Sequence, residues 1–275
     1  MRYNILITGG TGTIGRSFAE GHIVHYVNSH GAPYTKHDIT IFSQDERAQV
    51  EMKREHPYFT YVIGDVREPS EIHRACKGMD YVFHFAAIKH VNICEEQPQE
   101  AIRTNVMGTM NVVNACVYHG AKLVNMSSDK AINPGNVYGI TKAIGEKMVE
   151  QDMFVSVRSG NVLWSSGSVL PIWKNQIKRY NRIDITSDEM TRFFINVKEL
   201  TLFIWESRDK SGIFTVPMKS YLLKDIAGEF IKRYGNGETE LNIVGLRPGE
   251  RLHEFRDETT SSEHHISNDL NYIFT

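Results

Sequence analysis

Tyr138 and Lys142 stand four residues apart, a spacing that puts them on one helix face, one turn from each other. An ammonium in that position favours the ionised form of the phenol, which by itself, with a pKa of about 10, is a poor base at neutral pH. Lowered toward neutrality, the tyrosine can take the hydroxyl proton of a sugar while a nicotinamide accepts the hydride. Just upstream, Ser128-Asp129-Lys130 adds a hydroxyl, an acid and a cation. The same chain is thus equipped both to oxidise a carbinol and to move further protons on the same substrate. Read blandly, Tyr-x-x-x-Lys is a solvated helix face and Asp129-Lys130 an ion pair in a loop.

The start of the chain decides between these readings. Tyr3-Asn4-Ile5-Leu6-Ile7 has the length and β-branched content of a buried strand, and it runs into Thr8-Gly9-Gly10-Thr11-Gly12-Thr13-Ile14-Gly15. Glycines at 9, 12 and 15 suit a dinucleotide loop: a tight turn, a close approach of backbone to pyrophosphate, and close packing of helix on sheet. The pyrophosphate then rests at the helix N-terminus.

A second strand, Asp38 to Phe42, ends in Ser43-Gln44 rather than in the acidic residue that binds a ribose 2′-hydroxyl. Ser43 and Arg47 suit a 2′-phosphate, so NADP is favoured, with NAD kept open by Asp45. Phe59 to Ile63 leads to Asp65 and Val66, where a carboxylate meets the adenine. Tyr81 to Phe85 leads to Ala86 and Ala87, which leave room for a flat ring. Leu123 to Met126 delivers Ser127 to Lys130 at its carboxyl end, where open parallel sheets bind ligands. Helical stretches fall between the strands at 16–28, 45–54, 69–76, 98–119 and 138–151. The alternation predicts an α/β fold, a Rossmann-type doubly wound parallel sheet with right-handed crossovers. Residues 1–160 form the NADP-binding domain and 161–275 a smaller, discontinuous sugar-nucleotide region, with about 195–234 returning to the Rossmann domain.

Together these segments resemble the extended short-chain dehydrogenases/reductases, and specifically the inverting, C5-epimerising UDP-N-acetylglucosamine 4,6-dehydratases. The narrower matches are Ala86-Ala87-Ile88-Lys89-His90-Val91, Thr104-Asn105-Val106-Met107-Gly108-Thr109 and Ser127-Ser128-Asp129-Lys130-Ala131-Ile132-Asn133-Pro134. Val157-Arg158-Ser159-Gly160-Asn161-Val162, Gly167-Ser168-Val169-Leu170-Pro171, Met190-Thr191-Arg192-Phe193 and Leu246 to Glu254 continue the likeness over nearly the whole chain. Asp-Lys after the fifth strand discriminates most, because retaining relatives resemble one another in having Asp-Glu there. Gln44 departs from the family's arginine, and Trp164 to Gly167 departs from its usual glycine-containing pattern.

The resemblance implies UDP-N-acetylglucosamine as substrate and a glycan or polysaccharide as destination. It adds Lys89 and Asn105 to the cofactor set, and Lys89, His90, Asn161, Val169, Arg192, Arg247 and Glu250 to the substrate set. Guanidinium forks at Arg192 and Arg247 suit a diphosphate, or else form ion pairs with neighbours such as Glu250. The implied chemistry starts with Tyr138, helped by Lys142 and Ser128, taking the C4 hydroxyl proton as hydride leaves. Neutral Lys130 then removes the C5 proton, Asp129 protonates the departing C6 hydroxyl, and returning hydride at C6 with reprotonation on the opposite face inverts C5. A UDP-sugar 4-epimerase, which has no need of Asp129-Lys130, and a non-catalytic NADP-binding regulator are the other readings.

Composition narrows the class. A chain of 275 residues buries a sizeable core, and its net charge of −2 argues against bulk nucleic-acid or membrane electrostatics. Met1-Arg2 leads straight into the first strand and no apolar run reaches about 18 residues, so a cytoplasmic protein is expected. Three cysteines without ligand spacing read as reduced thiols, and the 12 histidines form no coherent metal set. Relatives imply a homo-oligomer.

Overall fold

The computed structural model describes residues 1–27 and 33–275. Five strands of the main sheet are β1 (Asn4–Thr8), β4 (Asp38–Ser43), β5 (Thr60–Ile63), β6 (Tyr81–His84) and β7 (Lys122–Ser128). With β8 (Val155–Ser159) and β12 (Gly212–Thr215) they make a seven-stranded sheet in the order β12-β8-β7-β6-β1-β4-β5. Every pairing in it is parallel. Parallel strands covered on both faces read as continuous apolar runs, and Ile5, Leu6 and Ile7 have no exposed surface at all. The order reverses between β1 and β6, so a crevice opens above their carboxyl ends.

Helices α1 (Thr13–Gly21), α2 (Glu46–Glu55), α3 (Pro69–Cys76) and α6 (Gly108–His119) follow the strands, as do α7 (Val137–Gln151) and α9 (Val197–Ser207). Between β6 and α6 the chain also forms α4 (Val91–Glu96) and α5 (Pro98–Ala101), and a π-helical stretch, Ile102–Met107, joins α5 to α6. The sequence reading makes one helix of 98–119 and does not foresee α4. It also carries the first helix to residue 28, whereas α1 ends at Gly21. β2 (Ile23–Val27) follows at once and pairs antiparallel with β3 (Pro33–Thr35); residue 28 itself lies outside the described residues.

A second core carries the cap. α8 (Val169–Tyr180) and α10 (Leu223–Tyr234) pack with the parallel pair β10 (Arg182–Ile185) and β14 (Glu240–Ile243). A further sheet, β13-β11-β9, joins β9 (Asn161–Val162), β11 (Thr191–Ile195) and β13 (Lys219–Leu222). Trp173, Tyr221, Phe230 and Ile273 are buried in this core. The expected return to the main sheet over about 195–234 ends at Thr215, since β13 and α10 belong to the second core. Among the described residues no helix is long and apolar enough to cross a membrane.

Candidate active site

The crevice above β1, β6 and β7 is a cavity of about 700 Å³. Its floor on one side is the glycine loop. Gly9 has a φ of +64°, and a Cβ there would lie 2.7 Å from the Ala86 amide nitrogen. A Cβ at Gly15 would meet the Gly10 Cα at 2.6 Å, so the loop closes only with glycine at both positions. α1 starts from Gly12, which offers no side-chain cap, leaving its first-turn amides available to an anion. Thr11, Thr13 and Ile14 line the cavity here. A cradle of this shape fits the pyrophosphate of a dinucleotide.

At the adenosine end, Ser43 bonds Thr11 hydroxyl to hydroxyl at 2.9 Å, and Gln44, Asp65 and Val66 line the wall. Asp45 turns its carboxylate back to cap α2 through the Ala48 amide at 2.9 Å. Arg47 does not line the cavity; it is almost fully exposed and pairs with Glu51 one turn on, at 3.0 Å. The cation that does line it is Arg67, held by Asp65 at 2.6 Å, which the sequence reading passes over. Burial pushes the Asp65 carboxyl up, but its bonds to Arg67 prevail and hold it below the ordinary value.

β7 and α7 bring together the residues of the opening motif. Ser128 ends β7, and a 3₁₀ turn, Asp129–Ala131, follows directly. Asn136 caps α7 through the Gly139 amide at 2.7 Å and holds the Gly249 carbonyl at 2.9 Å. Ser128, Lys130, Tyr138 and Lys142 then face the cavity together. Asp129 does not: it has no exposed surface and sits behind Lys130, with its Oδ1 3.1 Å from the lysine Nζ.

The electrostatics differ from the simple pairing expected. Burial pushes Tyr138 up to about 12, opposed by the Lys130 charge and the Ser128 hydroxyl. Lys142 is not among the groups that shift the phenol, and burial lowers its own pKa to about 8 against the pull of Glu146. Burial also presses on Lys130, yet the carboxylates of Asp129 and Glu254 outweigh it and raise its pKa. The resting form is therefore the ammonium, not the neutral amine a base requires. Asp129 is raised by burial and by Glu254. Glu254, 3.4 Å from Lys130 Nζ, is a member of this cluster that the sequence reading quotes only as part of a motif.

Of the other candidates, Ala86, Ala87, Lys89, His90 and Asn161 line the cavity. Lys89 donates to the Ser166 carbonyl at 2.7 Å, and Ser166 in turn donates its amide to Thr13 at 3.1 Å, so this loop bridges cap and glycine loop. Asn105 is buried and brackets both backbone groups of Ile88, at 2.8 and 2.9 Å; it shapes the wall without lining it. Val169 is also off the wall, where Ser168 before it stands instead. Arg192 is buried, with three of its guanidinium N–H groups on the carbonyls of Thr191, Arg251 and Leu252, and it does not line the cavity. Arg247 is exposed and lies 3.8 Å from Glu250, and neither lines the cavity.

A family described as polysaccharide biosynthesis protein matches residues 5–274. The chain belongs to that family. An inverting UDP-N-acetylglucosamine 4,6-dehydratase of Campylobacter jejuni is 35% identical over 280 residues, 96% of this chain and 79% of its own. A UDP-glucose 4-epimerase of Rickettsia canadensis is 35% identical over 276 residues, 91% of this chain and 76% of its own. The solved structure of Pen from Bacillus thuringiensis superposes with a TM-score of 0.85 at 34% identity, covering 93% of this chain and 83% of that one. This member of the family is thus an enzyme of the nucleotide-sugar dehydratase and epimerase group of short-chain dehydrogenases/reductases.

Proposed function

We propose that the protein is a UDP-N-acetylglucosamine 4,6-dehydratase that inverts C5, giving a UDP-2-acetamido-2,6-dideoxy-4-keto-L-hexose for glycan synthesis. The observation that carries this reading is Lys130 on the cavity wall, 3.1 Å from the buried Asp129 and beside Tyr138. A plain redox reaction at C4 uses Tyr138 and the Lys130 charge that acts on it, and gives a buried carboxyl behind that lysine nothing to do.

The glycine cradle fits NADP, with NAD as the alternative; when bound, the dinucleotide supplies a hydride acceptor for C4 and returns the hydride at C6. Tyr138 takes the C4 hydroxyl proton, with Ser128 hydrogen-bonding near the same oxygen and Lys130 supplying the charge that stabilises the phenolate. The 4-ketone acidifies the C5 hydrogen. Because Lys130 rests as an ammonium, its proton first passes to Asp129 across the 3.1 Å contact, giving a neutral amine and a neutral acid. Lys130 then takes the C5 proton and hands a proton to the C6 hydroxyl, which leaves as water. The Asp129 proton returns to Lys130, and the proton that Tyr138 took from the C4 hydroxyl passes to C5 on the opposite face, which inverts the centre and restores the phenolate. Asp129 thus acts as a proton store behind Lys130, because it has no surface on the cavity.

A UDP-sugar 4-epimerase is the second reading, favoured by the equal identity to the Rickettsia enzyme. Incubation with UDP-N-acetylglucosamine and NMR of the products tests the choice. A 6-deoxy-4-keto sugar with inverted C5 is expected. The galacto isomer alone would mean an epimerase, and unchanged substrate with tight NADP binding would mean a regulatory protein.

A further inference from the structure

We propose that Glu254 is a positioning residue for the elimination, anchoring Lys130 on the cavity wall and fixing how many protons Lys130 and Asp129 hold between them. The inference rests on the dehydratase reading for its catalytic consequence, and on geometry alone for the anchoring.

Glu254 is only 2% exposed, and its Oε1 lies 3.4 Å from Lys130 Nζ, opposite the 3.1 Å contact from Asp129. The other oxygens of both carboxylates, Asp129 Oδ2 and Glu254 Oε2, are buried without a partner. Two buried carboxylates meet one ammonium directly, with the buried Arg192 guanidinium as the other positive charge nearby, and burying so many charges is costly away from water. The fold nevertheless fixes this arrangement firmly. The Glu254 amide donates to Ser262 Oγ at 2.9 Å, and the Ser262 amide donates back to the Glu254 carbonyl at 2.7 Å. Ser262 Oγ also bonds Thr191 Oγ1 at 2.7 Å, and the Thr191 amide donates to the Leu252 carbonyl at 3.0 Å. Arg192 clamps the same strand edge from within, through the Arg251 and Leu252 carbonyls.

The charged and titratable groups around Lys130 come from several elements. Asp129 shares its turn, Arg192 comes from β11, Tyr138 and Lys142 from α7, Cys94 from α4, and Glu254 from the tail. Arg192 lowers the lysine and its guanidinium is already engaged, so Glu254 and Asp129 are the groups that hold the ammonium. Glu254 acts on both members of the pair in one direction: its negative charge raises Asp129 and raises Lys130. The pair is active with one shared proton, so both limits of the pH profile belong to the coupled pair. Below the lower limit Asp129 and Lys130 are both protonated, and the store is full.

The test compares wild type with Glu254→Gln and Glu254→Asp. Solvent deuterium incorporation at C5 is followed against pH, beside C4 oxidation, which depends on Tyr138. In Glu254→Gln the acid limb of C5 exchange should move down by about one pH unit, since Asp129 loses the neighbouring negative charge. Glu254→Asp should recover most of the wild-type position. Independently, 13C NMR of labelled aspartate, assigned with Asp129→Asn, should show the Asp129 midpoint falling in Glu254→Gln without any substrate. A flat loss of rate at every pH with an unmoved Asp129 midpoint would make Glu254 merely structural and overturn the proposal. A shifted midpoint in a protein whose wild type forms no 6-deoxy product would uphold the anchoring while removing the dehydratase reading.

Discussion

Lys130 has two roles, which act at different steps and are read at different atoms of the substrate. Its charge is the main cation acting on Tyr138, and its amine is the cation on the wall that contacts the buried Asp129. Replacing Lys130 with Met keeps much of the stem and leaves Tyr138 and Lys142 in place. In deuterated water this variant should reduce the cofactor at C4 more slowly, having lost the charge that stabilises the phenolate, while C5 labelling and water loss fall further still, by about 10²- to 10⁴-fold, as for loss of a general base. Wild-type labelling in the variant would take the base role away from Lys130. Two arginines give a second contrast. Arg67 lines the adenosine end and Arg47 points to Glu51 in solvent, so Arg47→Ala should leave dissociation constants for NADP and NAD unchanged, whereas Arg67→Ala should weaken NADP. With no free carboxylate at the end of β4, wild type should prefer NADP modestly. Tighter binding of NAD would reverse that assignment.

Tyr138 and Lys130 are held in register by the packing of α7 on the turn that precedes it. Gly139 makes this possible: a Cβ there would run into the Lys130 carbonyl oxygen, a backbone atom that cannot step aside. Gly139→Ala should force α7 away from residues 129–131, costing about 1–3 kcal/mol as overpacking does. Activity should fall more than stability does, because a displacement of about 1 Å at reacting groups costs on the order of 10²-fold. Denaturant melts and turnover measured on the same preparation check this; an alanine variant with wild-type turnover would show that the contact is not what sets the geometry. Asn136 secures the other end of the arrangement, since its amide ties the first turn of α7 to the Gly249 carbonyl of the tail.

Across the molecule, the central sheet holds a buried histidine that makes stability depend on pH. His84 bonds Thr8 Oγ1 at 2.7 Å and Thr109 Oγ1 at 3.1 Å, and burial lowers its pKa to about 3. The unfolded chain binds a proton there near pH 6.5, so between about 6.5 and 3 the unfolded state holds more protons than the folded one. Stability contributed by the neutral ring is therefore complete above about 6.5 and declines as pH falls, at up to about 1.4 kcal/mol per pH unit. Urea unfolding at pH 7 and pH 5 should show this loss, and His84→Gln should reduce it, leaving the share of His22 and His37, which burial lowers to about 4. An equal slope in the variant would assign the acid sensitivity to other groups.

Local order was legible in the sequence. An apolar run before a glycine loop, four further strands and the Tyr-x-x-x-Lys helix follow from periodicity and from glycine spacing, which are properties of neighbouring residues. Pro69–Cys76 even matches in both bounds. What the chain order could not give was which side chains would compete for the same charge. Lys142 lies one turn from Tyr138 on the helix yet is not among the groups that shift it, while Glu254 reaches Lys130 from the far end of the chain. Arg192 looked like a free fork until the tail laid its carbonyls across it, and Arg47 until Glu51 took it. Desolvation and long-range partners exist only once β11, α7 and the tail have packed together, so only the tertiary structure decided the charge states of the site.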